Sequence, residues 1–96
     1  MYKIVFSQTF LDDYQKFTLK NIELRKRVQK ALEILSKDPF YPSLKSHKVY
    51  ARNIGVAWSS RVTGDIRIIW EYNKNDQLII DALALGSHSG NSKVYN

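Results

Sequence analysis

The sequence contains no cysteine, only two prolines and four glycines, and no long apolar run. Without cysteine the chain can form no disulfide, no thiolate metal site and no cysteine nucleophile. No stretch reaches the roughly 18 apolar residues that a membrane-spanning helix needs. Residues 1–6 have the pattern of a strand rather than that of a signal peptide. These absences favour a soluble cytoplasmic protein.

Acidic residues are also few, with 9 Asp and Glu against 15 Lys and Arg, which gives a net charge of +6. This excess favours a polyanionic partner, either nucleic acid or an acidic protein, and does not choose between them. The 96 residues, 44% of them hydrophobic, predict one domain with a modest core that spans residues 1–96. The two histidines and scattered carboxylates lack the spacing of a metal site, and no cofactor motif is present.

The clearest pattern lies in residues 54–88. Apolar side chains alternate with others in segments 54–62 and 65–72, which predicts two half-buried strands. Thr63-Gly64-Asp65 is predicted to form the turn between them. The next segment, 78–85, is apolar on nearly every position, which indicates a covered strand.

The alternation also predicts how the two strands align. Placing both apolar sets on one face puts Trp58 opposite Trp70, and it puts Arg61 opposite Arg67 on the other face. Like charges directly across a ladder repel each other. Such a pair is tolerated when the side chains splay into water, or when an anion such as phosphate lies between them.

The first half of the chain predicts a strand and two helices. Residues 2–6 form the strand, and a short helix follows with Ser7 or Thr9 as its N-cap. A longer helix covers residues 22–36, with its basic residues spread around it as on a solvated face. The following segment, 40–52, is predicted to be an irregular loop. The basic residues of the longer helix are Arg25, Lys26, Arg27 and Lys30.

This order of elements, β-α-α-β-β-β, predicts the α+β class. A helical hairpin is expected to pack on one face of a mainly antiparallel four-stranded sheet. The other face is expected to be open, with Arg61 and Arg67 on it.

Three motifs carry a resemblance to a known family. They are Leu44-Lys-Ser-His-Lys-Val49, then Trp58-Ser-Ser-Arg-Val-Thr-Gly-Asp-Ile-Arg67, and then Gly86-Ser-His-Ser89 followed by Val94-Tyr95. Together and in this order they resemble the RelE/ParE superfamily of bacterial toxin–antitoxin toxins. The first motif looks most like the YafQ-type branch of mRNA interferases. That branch has a second histidine where this chain has Arg61.

The resemblance implies a RelE-like fold and a toxin that inhibits translation by cutting mRNA in the ribosomal A site. In such metal-free cleavage the 2′-hydroxyl attacks the adjacent phosphate and leaves a cyclic phosphate. Two histidines can act as base and acid, in either assignment, and guanidinium groups can stabilise the charged transition state. By position, the resemblance implies catalytic roles for His47, His88, Arg61, Arg67 and Tyr95.

Further expectations follow from the same resemblance. Lys45, Lys48 and Arg52 are candidates for RNA contacts, and Tyr95 could stack on a base or pack onto the sheet. A cognate antitoxin with an acidic segment is the implied partner, and the free toxin is expected to be a monomer that joins a larger assembly with it. The alternatives are a ParE-like inhibitor of DNA gyrase that cuts nothing, and a degenerate relative that only binds an antitoxin.

Overall fold

The structure, a computed structural model, describes residues 1–88. Within that range the chain forms two helices, five strands and one short 3₁₀ turn. In chain order they are β1 (Lys3–Phe6), α1 (Gln8–Thr18), α2 (Ile22–Lys37), the 3₁₀ turn (Pro42–Leu44), β2 (His47–Ala51), β3 (Gly55–Arg61), β4 (Ile66–Tyr72) and β5 (Ile79–Ser87).

The strands form one sheet in the order β1-β5-β4-β3-β2. β1 runs parallel to β5, and every other neighbouring pair is antiparallel. Both helices pack against one face of this sheet. The α+β class, the helical hairpin and the mainly antiparallel sheet are therefore confirmed. The register is confirmed as well, since Trp58 pairs with Trp70 and Arg61 with Arg67.

The number of strands was predicted wrongly, because the segment expected to be an irregular loop contains β2. His47–Ala51 pairs with the first five residues of β3, and the two strands are joined by a tight turn. Asn53 and Gly55 in that turn have positive φ angles of 63° and 99°, which Asn and Gly adopt more readily than other residues. A short edge strand has only one neighbour, so its side chains need not alternate clearly between apolar and polar.

The helices begin where polar side chains can cap them. Ser7 Oγ accepts a hydrogen bond from Phe10 N at 3.0 Å at the start of α1. Asn21 Oδ1 accepts one from Leu24 N at 3.0 Å at the start of α2. The apolar stripe of α2 is fully buried at Val28.

Neither helix in residues 1–88 is long and apolar enough to cross a membrane.

The indole of Trp70 lies at the centre of the core and is completely buried. Its ring stacks on Trp58, with 5.8 Å between ring centroids. Its Nε1–H donates to Ser60 Oγ at 2.7 Å, and Ser60 Oγ lies 2.6 Å from Ser46 Oγ. Ser46 Oγ donates in turn to the Pro39 carbonyl at 2.6 Å. A hydroxyl has only one proton to donate, so the bonds run in one direction from the indole to that carbonyl.

The second face of the sheet is less open than expected. It carries a small buried cluster formed by Ala51, Ala57, Ile69 and Ala84. These side chains come from β2, β3, β4 and β5, and three of the four are methyl groups. The second face therefore has a thin apolar centre of its own.

Helix α1 covers the edge of β5 where β1 has ended. Ser7 Oγ donates to the Leu83 carbonyl at 2.9 Å, and Leu85 N donates to Asp13 Oδ2 at 3.0 Å. Side chains thus satisfy backbone groups that have no strand partner on this side. Burial raises the pKa of the Asp13 carboxyl above its usual range, although the hydrogen bond from Leu85 opposes this change.

Replacing Ser60 with Ala tests the chain of hydrogen bonds that starts at Trp70. The substitution removes the acceptor of a fully buried N–H, and an unsatisfied buried donor costs about 1–3 kcal/mol. We expect the free energy of unfolding in urea to fall by about 2 kcal/mol. Ser36→Ala is the control, because its hydroxyl donates only to the Glu33 carbonyl in its own helix. Equal losses for the two variants would contradict the role assigned to Ser60.

Candidate functional site

The two arginines of the β3–β4 hairpin lie directly across the ladder from each other. Arg61 is the last residue of β3, and Arg67 is the second residue of β4. The turn between them follows at once, so both charges lie at one end of the sheet. The two arginines are therefore direct neighbours in the backbone register, and both guanidinium groups extend to the turn: Arg67 Nη2 binds the Gly64 carbonyl, and Arg61 Nη2 lies beside Gly64.

Arg67 is held by the turn itself. Its Nη1 donates to the carbonyls of Thr63 and Ile66, the latter at 3.2 Å, and its Nη2 donates to the Gly64 carbonyl at 3.1 Å. These bonds use three of the five N–H groups of a guanidinium. The group keeps its full charge and two further donors, and it is fixed in orientation.

Arg61 lines a cleft on the helical side of the sheet. The cleft has a volume of about 350 Å³ and lies between α2, the 3₁₀ turn and the end of β3. Arg27 and Lys30 of α2 line the same cleft. The other lining residues are all neutral: Ala31, Ile34, Ser43, Leu44 and Val62.

Arg27 and Lys30 were missed as site residues, because their helix reads as a solvated face. The spacing of Arg27 and Lys30 along the helix could have indicated that both belong to one site. Positions i and i+3 lie on one helix face, and Ala31, at i+4 from Arg27, is buried against the core. The two cations therefore flank the buried face, next to the sheet. Which strand residue they would meet there could not be read from the helix alone.

His47 is exposed at the start of β2. Its Nδ1 lies 2.9 Å from the Lys45 carbonyl. Since a carbonyl can only accept, this bond requires the proton on Nδ1 and leaves Nε2 of the neutral ring without one. The arrangement suits an anchored loop histidine and also presents an unprotonated nitrogen to solvent.

His88 is exposed and follows the last residue of β5. Its backbone N donates to the Asp65 carbonyl at 2.7 Å, which continues the β4–β5 pairing to the hairpin turn. Ser87 Oγ donates to Asp65 Oδ2 at 2.7 Å. The hydrogen bonds to Asp65 therefore fix the backbone position of His88.

The backbone register places four of the predicted residues on one face in a row across the sheet. His47 is a diagonal neighbour of Arg61, and His88 is a diagonal neighbour of Arg67. Diagonal neighbours have Cα atoms about 7–8 Å apart. The two histidines are three strands and four residues apart, or roughly 19 Å between Cα atoms in a flat sheet. The arginines thus lie between the histidines.

The residues suggested for RNA contacts are not brought together at one place. Lys45 ends the 3₁₀ turn with a positive φ of 47°. Lys48 Nζ lies 5.5 Å from the centroid of the Trp58 ring. Arg52 lies in the β2–β3 turn and lines a separate cavity of about 340 Å³ next to α1. Tyr95 lies outside the described residues. Within residues 1–88, no three His, Asp or Glu side chains form a group that could hold a metal ion.

No family model and no curated protein matches this sequence. The fold, in contrast, matches solved structures. A YoeB/ParE toxin from Agrobacterium tumefaciens is 16% identical and has a TM-score of 0.72, with 91% of this chain and 99% of that chain covered.

Two further structures agree. The YoeB–YefM complex from Staphylococcus aureus is 19% identical, with a TM-score of 0.67 and coverage of 88% of this chain and 94% of that chain. YafQ from E. coli is 16% identical, with a TM-score of 0.66 and coverage of 91% and 93%. The RelE-like toxin fold implied by the three sequence motifs is therefore confirmed.

Replacing Arg67 with Lys tests whether this residue holds the hairpin turn. A lysine keeps the charge but cannot span three carbonyls with a planar fork. We expect the free energy of unfolding to fall by about 1–2 kcal/mol in chemical denaturation. Arg61→Lys is the matched control, because Arg61 lies directly across the ladder and lines the cleft, whereas the three bonds to the turn carbonyls are made by Arg67. A loss for Arg61→Lys as large as that for Arg67→Lys would contradict this assignment.

Proposed function

We propose that this chain, which has the fold of RelE-like toxins, is the toxin of a toxin–antitoxin module. We further propose that it acts in the cytoplasm as a metal-free endoribonuclease on mRNA in the ribosomal A site. The fold likeness extends over about nine tenths of this chain and of the compared toxins. The net charge of +6 suits a polyanionic substrate.

The observation that carries the proposal is the arrangement of Arg67 and His88 at one end of the sheet. Arg67 is fixed by three carbonyls of the turn and retains two N–H donors. His88, which directly follows the next strand, is its diagonal neighbour in the backbone register, and the side chain is exposed. A preoriented guanidinium can stabilise the charge that develops on a phosphodiester, and an imidazole near it in the backbone register can donate a proton to the leaving group.

In the proposed reaction the 2′-hydroxyl attacks the adjacent phosphorus, the bond to the 5′-oxygen breaks, and a 2′,3′-cyclic phosphate remains. Arg67 stabilises the charge that accumulates on the phosphate oxygens. His88 donates a proton to the departing 5′-oxygen, which leaves as a hydroxyl, and the proton of the attacking 2′-hydroxyl passes to solvent water. A single phosphodiester does not span the roughly 19 Å estimated between the Cα atoms of the two histidines. We therefore assign His47 to a flanking nucleotide, where its unprotonated Nε2 can accept a hydrogen bond.

The proposed protein partner is an antitoxin with an acidic segment that lies across the helical hairpin. The S. aureus toxin YoeB forms a complex with YefM. In this chain a groove between β1, α1 and α2 is lined by exposed Phe6 and Leu11, together with Tyr14 and Leu32. An apolar groove on a chain of charge +6 suits an amphipathic, acidic segment. We propose that the free chain is a monomer and joins a larger assembly with the antitoxin.

Replacing His88 with Ala tests the nuclease. We expect cleavage to fall by at least about a hundredfold, because general acid–base catalysis contributes about 10²–10⁴-fold. His47→Ala is expected to lower cleavage by about tenfold or less, as expected for a contact worth about 1.4 kcal/mol. Discrete mRNA 5′ ends are mapped by primer extension after induction of each variant. Cleavage at the parent rate in His88→Ala would contradict the assignment.

The same induction of the parent chain separates the functional classes. Growth arrest with DNA damage and intact mRNA would contradict the nuclease and support a gyrase inhibitor. No arrest at all would support a relative that only binds an antitoxin.

Replacing Leu11 with Glu tests the antitoxin groove. A charge in an apolar contact is costly to desolvate, so we expect the dissociation constant for the antitoxin encoded beside this chain to rise at least about tenfold. Calorimetric titration with the purified antitoxin measures this change. Leu19→Glu is the control, since Leu19 is also exposed but does not line the groove. Equal weakening by both variants would contradict docking in this groove.

A further inference from the structure

Among residues 1–88, the cleft between α2 and the end of β3 is lined by three cations and by no carboxylate. Arg27, Lys30 and Arg61 line it together. The salt bridge that the described part of the chain contains, Lys37 to Glu33, lies elsewhere on α2. A cleft lined by charges of one sign concentrates its field and attracts counter-ions. The described lining of the cleft therefore offers an anion three positive charges.

The three cations of the cleft belong to α2 and β3, two elements that are anchored in the core. Arg27 and Lys30 flank the face of α2 that is anchored by Val28 and Ala31, which are 0% and 5% exposed. Arg61 ends β3, next to Ser60, which is held by the hydrogen bonds from Trp70 and to Ser46. The backbone positions that carry the three cations are therefore already fixed before an anion binds.

We propose that this cleft binds a backbone phosphate of single-stranded RNA, next to the phosphate held at Arg67. The proposal rests on the proposed function for the identity of the RNA. The guanidinium and ammonium groups contact the phosphate oxygens. The apolar floor formed by Ala31, Ile34, Leu44 and Val62 accepts a ribose or a base.

Two observations favour RNA over an acidic protein. The positive charges form a row that begins with Arg27 and Lys30 on α2 and reaches Arg61 at the end of β3. Arg67 extends this row, because it pairs directly with Arg61 across the β3–β4 ladder. A row of cations suits a polymer with one phosphate in every unit. In addition, the 3₁₀ turn and Ser46 pack beside the end of β3. These contacts lie at the part of β3 that extends beyond its pairing with β2, where a peptide would otherwise add as a strand.

The double variant Arg27→Gln/Lys30→Gln tests the proposal. Gln has nearly the same helix propensity as Arg and Lys, and both residues are exposed, so the fold should be kept. Binding of a short, fluorescently labelled 2′-O-methyl RNA, which cannot be cleaved, is measured by anisotropy between about 50 and 200 mM salt. We expect about five- to tenfold weaker binding. The slope of log Kd against log salt should also be smaller by about 0.7 for each phosphate that the variant no longer neutralises.

The matched control is Lys20→Gln/Lys26→Gln, which removes the same charge from exposed positions outside the cleft. This control should bind RNA nearly as the parent does. Equal weakening by both double variants would overturn the proposal, because only net charge would then matter. Unchanged RNA binding by Arg27→Gln/Lys30→Gln, with loss of binding to polyglutamate instead, would overturn it in favour of an acidic protein.

The cleft and the nuclease can fail separately. If the cleft variant loses RNA binding while the parent cuts no mRNA in cells, the phosphate site stands and the proposed nuclease is wrong. If His88→Ala abolishes cleavage while the cleft variant binds RNA as the parent does, the nuclease stands and the phosphate site is wrong.

Discussion

The buried indole of Trp70 is the group on which the arrangement of the sheet depends. Its ring stacks on Trp58 across the β3–β4 ladder, and its N–H starts a directed chain of hydrogen bonds through Ser60 and Ser46 to the Pro39 carbonyl. The chain joins β4, β3 and the segment that follows α2. Buried polar networks of this kind fix one arrangement when every member is satisfied. The width of the cleft between α2 and β3 is therefore set by the same contacts that hold the core together.

Side chains complete the hydrogen bonding where the ladders end. Ser7 and Asp13 satisfy the edge of β5 beyond β1, and Arg67 satisfies the carbonyls of the β3–β4 turn. Arg67 thus has a structural role that does not exclude a chemical one, since hydrogen bonds to neutral carbonyls leave its positive charge in place. A group that is already immobilised needs no reorganisation when a charged transition state forms beside it.

The sequence pattern predicted the layers and the register of the β3–β4 hairpin, because alternation of period two fixes which side chains share a face. It did not predict β2, whose pairing is set by the positive φ angles of Asn53 and Gly55 rather than by apolar alternation. The sequence pattern also could not predict the direction in which the Arg61 side chain extends. A register gives the face of a residue, but a long side chain at a strand end can turn toward another element. For this reason the association of Arg61 with Arg27 and Lys30 emerged only from the structure.

The pairing of β1 with β5 joins the first strand of the chain to the last strand of the sheet, with Lys3 opposite Ile79. A contact of such long sequence separation forms late, because the intervening chain must be ordered before the contact is gained. An emerging polypeptide that lacks β5 leaves β1 and β4 without the strand that lies between them. The helices and the other strands therefore wait for β5 before the sheet of the described residues can close.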